Sequence, residues 1–363
     1  METLCRLSYW GVKPVKRTRG RTICEPQPQP AEPTIVGFNT AMASPASPAS
    51  SKAGHRWTVA DMPDLTGRAA IVTGANSGIG FYTAQALARS GADVTLAVRD
   101  ETKGDRAREL MGPTPGAVHV RQLDLSDLSS VRSFASEWSR DYDGGLDLLI
   151  NNAGVMAIPY RQSADGYELQ FATNHLGHFA LTGLLLPALV AVPHSRIVNV
   201  SSGAHRMVRQ INVDNLTGEN GYSKWGAYGQ SKLANLLFTL ELQRRLEADD
   251  LTVTCSAAHP GWAATGLQSA GPTMSGSWWE ARIAALANTV FAQSAESGAL
   301  PTLFAATMPG LPGNSYIGPD GIGEMRGHPK LVGRSDVAQD RQQAEQLWRV
   351  SEKLTAVTFP FDA

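Results

Sequence analysis

Cysteine is scarce in this chain, with three residues (Cys5, Cys24 and Cys255) among 363. They are too few for a disulfide framework and lack the paired spacings of a zinc site, so neither kind of scaffold applies. A surplus of charge of one sign is missing as well: 32 Lys and Arg against 33 Asp and Glu leave a formal net charge of -1. That balance argues against a nucleic-acid platform and against a dedicated membrane-surface protein. Long apolar runs are also lacking. The longest, Leu181 to Val192, is interrupted by Thr182, Gly183 and Pro187 and is too short for a bilayer, so no membrane span is expected. With 42% apolar and 18% charged residues, the composition suits one large soluble domain plus extras, and the reduced cytoplasm is the simplest compartment.

The first sixty residues differ from the rest. Met1 to Glu25 is basic and has no apolar stretch of the kind a secretory signal needs. Pro26-Gln27-Pro28-Gln29-Pro30 and Ala43-Ser44-Pro45-Ala46-Ser47-Pro48 cannot bury enough surface to fold. Residues 1–60 are therefore expected to be a disordered extension, 61–330 the folded domain, and 331–363 a terminal helix and tail packed on it. Met42 begins an equally sensible chain.

From residue 61 the pattern alternates strand and helix. Ala69 to Thr73 is a buried-strand run that enters Gly74-Ala75-Asn76-Ser77-Gly78-Ile79-Gly80 and then an alanine-rich helix. A glycine turn in that setting suits a dinucleotide: Gly74 for the tight turn, Gly78 for close approach of a pyrophosphate, Gly80 for helix–strand packing. Helix N–H groups and the positive dipole end would meet the phosphates. The second strand, Val94 to Val98, ends on Arg99. A guanidinium there suits a 2′-phosphate, which favours NADP(H) over NAD(H), whereas a solvated Arg99 beside a helix-capping Asp100 is the plainer reading.

Further strands are expected at Ala117–Leu123, Leu146–Ile150, Arg196–Val200, Leu251–Ala257 and Asn314–Ile317. Asp124, at the end of one, either reaches an adenine or caps the next helix. Asn151-Asn152 can pin neighbouring strand ends through their amides. A long helix from about Tyr167 to Ala191 holds Asn174, whose mid-helix amide or backbone suggests a bound water or a kink. His175 and His178 are close enough for a metal pair, but no third ligand is evident and no metal is expected. Ser201-Ser202 ends the fifth strand, where a hydroxyl can orient a substrate oxygen. Tyr228 and Lys232, four apart on a helix, can point into one site, where a cation would draw the phenol toward its phenolate as a general acid/base. Residues 266–277 suit a substrate lid, and Met156, Trp225, Trp262 and Trp278 line an apolar pocket or join the core. The β–α alternation gives the fold class: α/β, a doubly wound parallel sheet flanked by helices.

Together, Thr73-Gly74-x-x-x-Gly78-Ile79-Gly80, Asn151-Asn152-Ala153-Gly154, Asn174, Ser202, Tyr228-x-x-x-Lys232 and Pro260-Gly261 resemble the short-chain dehydrogenase/reductase family over about residues 66 to 320. The resemblance implies a Rossmann-type single domain and a catalytic set of Asn174, Ser202, Tyr228 and Lys232, with Asn174 keeping a water that links Lys232 to solvent. It also implies cofactor contacts at Ser77, Ile79, Leu125, Asn151, Ala153, Gly154, Pro260, Gly261 and Thr265, besides the glycines, Arg99, Asp124, Tyr228 and Lys232. Tyr222 competes with Tyr228 in the motif, but Gly226 leaves it without the lysine. The serine-to-tyrosine interval carries an insertion from about His205 to Trp225, which looks like the retinol dehydrogenase-like and WW-domain-oxidoreductase-like branch. The expected activity is hydride transfer between a nicotinamide cofactor and a small alcohol or carbonyl substrate, with a lipophilic one suggested. C=C reduction and a non-catalytic cofactor sensor are the rivals. No nucleic-acid partner is expected, and since dimers and tetramers are usual in this family, the resemblance admits a homo-oligomer.

Overall fold

The computed structural model describes residues 56–261 and 294–361. Eight strands form one sheet in the order β3-β2-β1-β4-β5-β6-β7-β8. They are β1 (Ala69–Thr73), β2 (Asp93–Val98), β3 (Val118–Gln122), β4 (Leu148–Asn151), β5 (Arg196–Val200), β6 (Thr254–Ala258), β7 (Tyr316–Pro319) and β8 (Pro329–Leu331). The first seven are parallel, as the alternating sequence implies, and β8 alone runs antiparallel to β7. The doubly wound parallel sheet is as expected; β8 is an additional edge strand, antiparallel because residues 320–328 are too short to carry a crossover helix.

The helices are α1 (Gly78–Arg89), α2 (Glu101–Met111), α3 (Leu128–Asp141), α4 (Leu169–Phe171), α5 (Gly177–Val190), α6 (Lys224–Ala248), α7 (Ala295–Thr307) and α8 (Arg341–Thr355). Strand residues alternate between the two faces. Ala70, Val72, Leu96 and Ile150 pack under α1, α2 and α7, while Ile71, Ala97, Leu149 and Ile197 pack under α3, α5 and α6. The terminal helix α8 lies against α6, where Trp348 joins Phe179, Phe238 and Phe359 in an aromatic cluster. No helix among the described residues is long and apolar enough to cross a membrane. Residues 1–55, the lid expected at 266–277, and Thr265, Trp262 and Trp278 lie outside the described residues.

Candidate active site

Strand order reverses between β1 and β4, and an open parallel sheet binds its ligand outside the strand ends at such a point. A crevice of about 290 Å³ lies there, between the glycine turn after β1 and the Asn152–Gly154 turn after β4. Gly74 has φ 66°, and a Cβ on it would stand 2.9 Å from the Ala153 Cα. A Cβ on Gly80 would come within 2.5 Å of the Gly74 carbonyl oxygen. The turn is thus packed backbone on backbone. Ser77 makes no side-chain capping bond to α1, so the first N–H groups of that helix stay available for an anion. These features fit a dinucleotide phosphate.

Ser77, Gly78, Ile79, Gly80, Arg99, Asp124, Leu125, Ala153, Gly154, Tyr228, Lys232 and Pro260 all line the crevice with Gly74. Asn151 does not. Its amide donates to Thr182 Oγ1 at 3.0 Å and Asn199 Oδ1 at 2.8 Å, pinning β4 to β5 and α5 from the buried side. Asn152, missed as a lining residue, takes the wall instead and donates to the Thr73 carbonyl at 2.8 Å. Gly261 (φ 66°) packs against the backbone at Glu324 and Met325 and does not line the crevice. Asn76 and Ser126 also line it, and no spacing rule marks either one.

At the β2 end the two candidate readers separate. Asp100 accepts from the Lys103 N–H at 3.1 Å and ion-pairs with its ammonium at 3.2 Å, so it caps α2. Exposed Arg99 stands on the crevice rim with no hydrogen bond or ion pair among the described residues. Asp124 accepts from Ser126 N at 2.9 Å and Ser126 Oγ at 2.6 Å, closing a local turn; the cap of α3 is Asp127.

Tyr228 and Lys232 share the buried face of α6, 5% and 3% exposed. The Lys232 ammonium donates to the Val200 carbonyl at 3.1 Å and stands 5.7 Å from the Tyr228 ring centroid. Burial lowers its pKa to about 8. The same burial pushes the Tyr228 phenol up to about 12, with a Ser202 hydrogen bond opposing the rise. The expected pull toward phenolate is therefore reversed: desolvation of the phenol outweighs a cation held to a neighbouring carbonyl. Of the two serines, Ser201 spends its hydroxyl on the Lys232 carbonyl at 2.8 Å, whereas Ser202 meets the phenol.

Asn174 sits in a π-helical turn, Ala172–Leu176, between α4 and α5. Such turns loosen the regular ladder and gather at functional sites. Its amide accepts from Val155 N at 2.8 Å and donates to Val155 O and Ser231 Oγ, both at 2.9 Å. The regular α ladder is interrupted here, and the side chain acts as a clamp. The Asn174 carbonyl meets His178 Nδ1 at 3.1 Å, and because a carbonyl only accepts, the proton sits on Nδ1 and Nε2 accepts from Thr73 Oγ1 at 2.9 Å. Burial holds that imidazole neutral, near pKa 4. His175 instead bonds Ser351 on α8 at 2.8 Å, so the two histidines serve different neighbours.

The family model described as short chain dehydrogenase matches residues 68–274. Retinol dehydrogenase 11 of Mus musculus is 46% identical over 249 residues, 68% of this chain and 75% of that protein. Retinol dehydrogenase 14 of Homo sapiens is 39% identical over 308 residues, 81% of this chain and 88% of that protein. A crystal structure of a protein from Mycobacterium paratuberculosis, 47% identical, superposes with a TM-score of 0.70 over 85% of this chain and 100% of that one. The chain belongs to the short-chain dehydrogenase/reductase family, in its retinol dehydrogenase-like branch, and is an oxidoreductase that works with a nicotinamide cofactor on alcohol and carbonyl groups.

Proposed function

We propose that the protein interconverts lipophilic alcohols with their aldehydes or ketones and prefers NADP(H), with Tyr228 moving the proton. The observation that carries the chemistry is the buried Tyr228 phenol on the crevice wall, bonded by Ser202 and one turn from Lys232. When bound, the nicotinamide gives or takes the hydride. A phenol held near pKa 12 keeps its proton at neutral pH and can donate it to a carbonyl oxygen as that oxygen gains charge. Ser202 orients the same oxygen through its hydroxyl. Lys232, on the crevice wall, would hold the nicotinamide ribose. Asn174, whose carbonyl meets His178 Nδ1, would hold the water that passes protons toward Lys232.

The NADP(H) preference rests on Arg99, a guanidinium without a partner among the described residues, while Asp100 is engaged with α2. The lipophilic substrate rests on Trp225, 39% exposed and 6.2 Å from the Tyr228 ring, and on the retinol dehydrogenases among the relatives. Tyr228→Phe tests the reading: NADPH should bind as before, seen by fluorescence, while turnover of all-trans-retinal falls about a thousandfold. Turnover within tenfold of the parent would remove Tyr228 from the chemistry.

A further inference from the structure

Tyr222 has no lysine one turn on, yet its hydroxyl is tied into the site from the other side. After the Asn152–Gly154 turn the chain runs through Val155, which lines the crevice, to Ile158. Midway, buried Ala157 has φ 50°, a left-handed conformation that a side chain adopts only when its neighbours impose it. Gln170 Oε1 accepts from Ala157 N at 2.7 Å, and Tyr222 donates to Ile158 O at 2.7 Å. Gln170 Nε2 in turn donates to the Tyr222 oxygen at 2.7 Å and to Lys224 O at 2.9 Å. Asn174, one turn along from Gln170, closes both polar groups of Val155.

One chain of bonds therefore joins the crevice wall, the helix of Asn174 and the first turn of α6, four residues before Tyr228. Burial and the nearby Glu168 carboxylate raise the Tyr222 phenol well above its ordinary range, so it stays a donor at any working pH. The insertion between the serine and the tyrosine delivers this hydroxyl.

We propose that Gln170 and Tyr222 are positioning residues for the reaction: they hold the Val155–Ile158 segment, with its left-handed Ala157, in register with Tyr228 and so fix where the reacting carbon of the substrate can sit. The proposal rests on the oxidoreductase reading above and adds residues that touch neither substrate nor cofactor.

The test is Tyr222→Phe in the full chain, assayed with NADPH and all-trans-retinal below its melting temperature. Expected is a kcat about tenfold lower with the NADPH Kd within twofold of the parent. Gln170→Met, which reaches the same wall from the other side, should show the same split. Adding Ala157→Gly to Tyr222→Phe should restore at least half of the lost rate, because glycine takes that φ without help. Tyr160→Phe is the control, since that hydroxyl binds the insertion at Thr217 O (3.1 Å) and not the wall; its kcat should not change. A merely structural role predicts a lower melting temperature with kcat intact. Equal kcat in Tyr222→Phe and parent, or an equal loss in Tyr160→Phe, would overturn the clamp. Hydrogen exchange at the Ala157 amide reads it without substrate and should be at least tenfold faster in Tyr222→Phe; unchanged exchange would also overturn it. A parent that turns over no carbonyl at all sinks the oxidoreductase reading instead, and the exchange result still decides the clamp.

Discussion

Two segments shape the crevice, the glycine turn after β1 and the stretch from Asn152 to Ile158 after β4, and each contains one residue with left-handed backbone that matters here. Gly74 reaches φ 66° by being glycine, whereas Ala157 reaches φ 50° although it carries a methyl. At an ordinary residue that conformation costs about 1–2 kcal/mol. Gly74 escapes the cost through residue type, and the motif is short enough to recognise in the sequence. Ala157 is held by Gln170 from α4 and Tyr222 from the insertion, partners that follow it by thirteen and by sixty-five positions. The same geometry is written locally in one place and imposed from a distance in the other.

Breaking the local version should have the largest effect. Gly74→Ala adds a methyl 3.0 Å from the Ala153 Cβ at a positive φ, where neither backbone can yield. NADPH affinity, measured by fluorescence titration, should fall by about a hundredfold or more, with a loss of stability of about 2–3 kcal/mol. Parent-like binding would mean the turn can open.

The next effect comes from Lys232, a cation imposed on a buried site. Its folded pKa of about 8 lies below the open-chain value of 10.5. Between those values the unfolded chain binds a proton that the folded chain does not, so stability rises with pH across that window. Below pH 8 the cost is constant, about 3 kcal/mol at 1.36 per pKa unit. Above pH 10 Tyr228 acts in the opposite sense, since the folded state keeps its proton to about 12. Lys232→Met should therefore abolish turnover yet melt higher at pH 7, by several degrees, and lose the rise in stability toward pH 10. Asn235 still donates to Val200 O at 3.0 Å, so that carbonyl is not orphaned. A lower melting temperature would show that the ammonium stabilises the fold.

Arg99→Ser should narrow the preference for NADPH over NADH by about tenfold, the worth of one charge-assisted hydrogen bond, read as the ratio of the two Kd values. An unchanged ratio would move the 2′-phosphate elsewhere. The smallest effect belongs to Ala157→Gly alone. Relief of the left-handed strain and the added freedom of the unfolded chain nearly cancel, so calorimetry should find a change within about 1 kcal/mol. A loss beyond 2 kcal/mol would mean that the alanine methyl, not the clamp, holds the wall.

The comparison also explains what the sequence made readable. Ala69–Thr73 and Arg196–Val200 match their strands residue for residue, because a short apolar run between turn signals is a local statement. The glycine turn and the Tyr228–Lys232 pair were legible for the same reason. The antiparallel β8 was not, since its direction follows from the length of a loop. Asn151 and Asn152 are adjacent amides with opposite destinations, and only strand register decides which one faces the crevice. The direction of the Tyr228 shift was not legible, because spacing shows that a cation is near but not how deeply both groups are buried. Gln170 and Tyr222 were out of reach because the bond between them exists only after folding.

The register of β1 carries a consequence for the order of assembly. On one side β1 pairs with β2, the next strand in the chain, while on the other Ala70 pairs with Leu148, and nearly eighty residues must be threaded before that partner arrives. The glycine turn can form early, but Ala153, which it packs against, docks late, and distant pairings of this kind set the pace of folding. A nucleotide that needs both turns has nothing to grip until that docking is complete. It therefore cannot hasten the search, and it protects the finished molecule by slowing its escape.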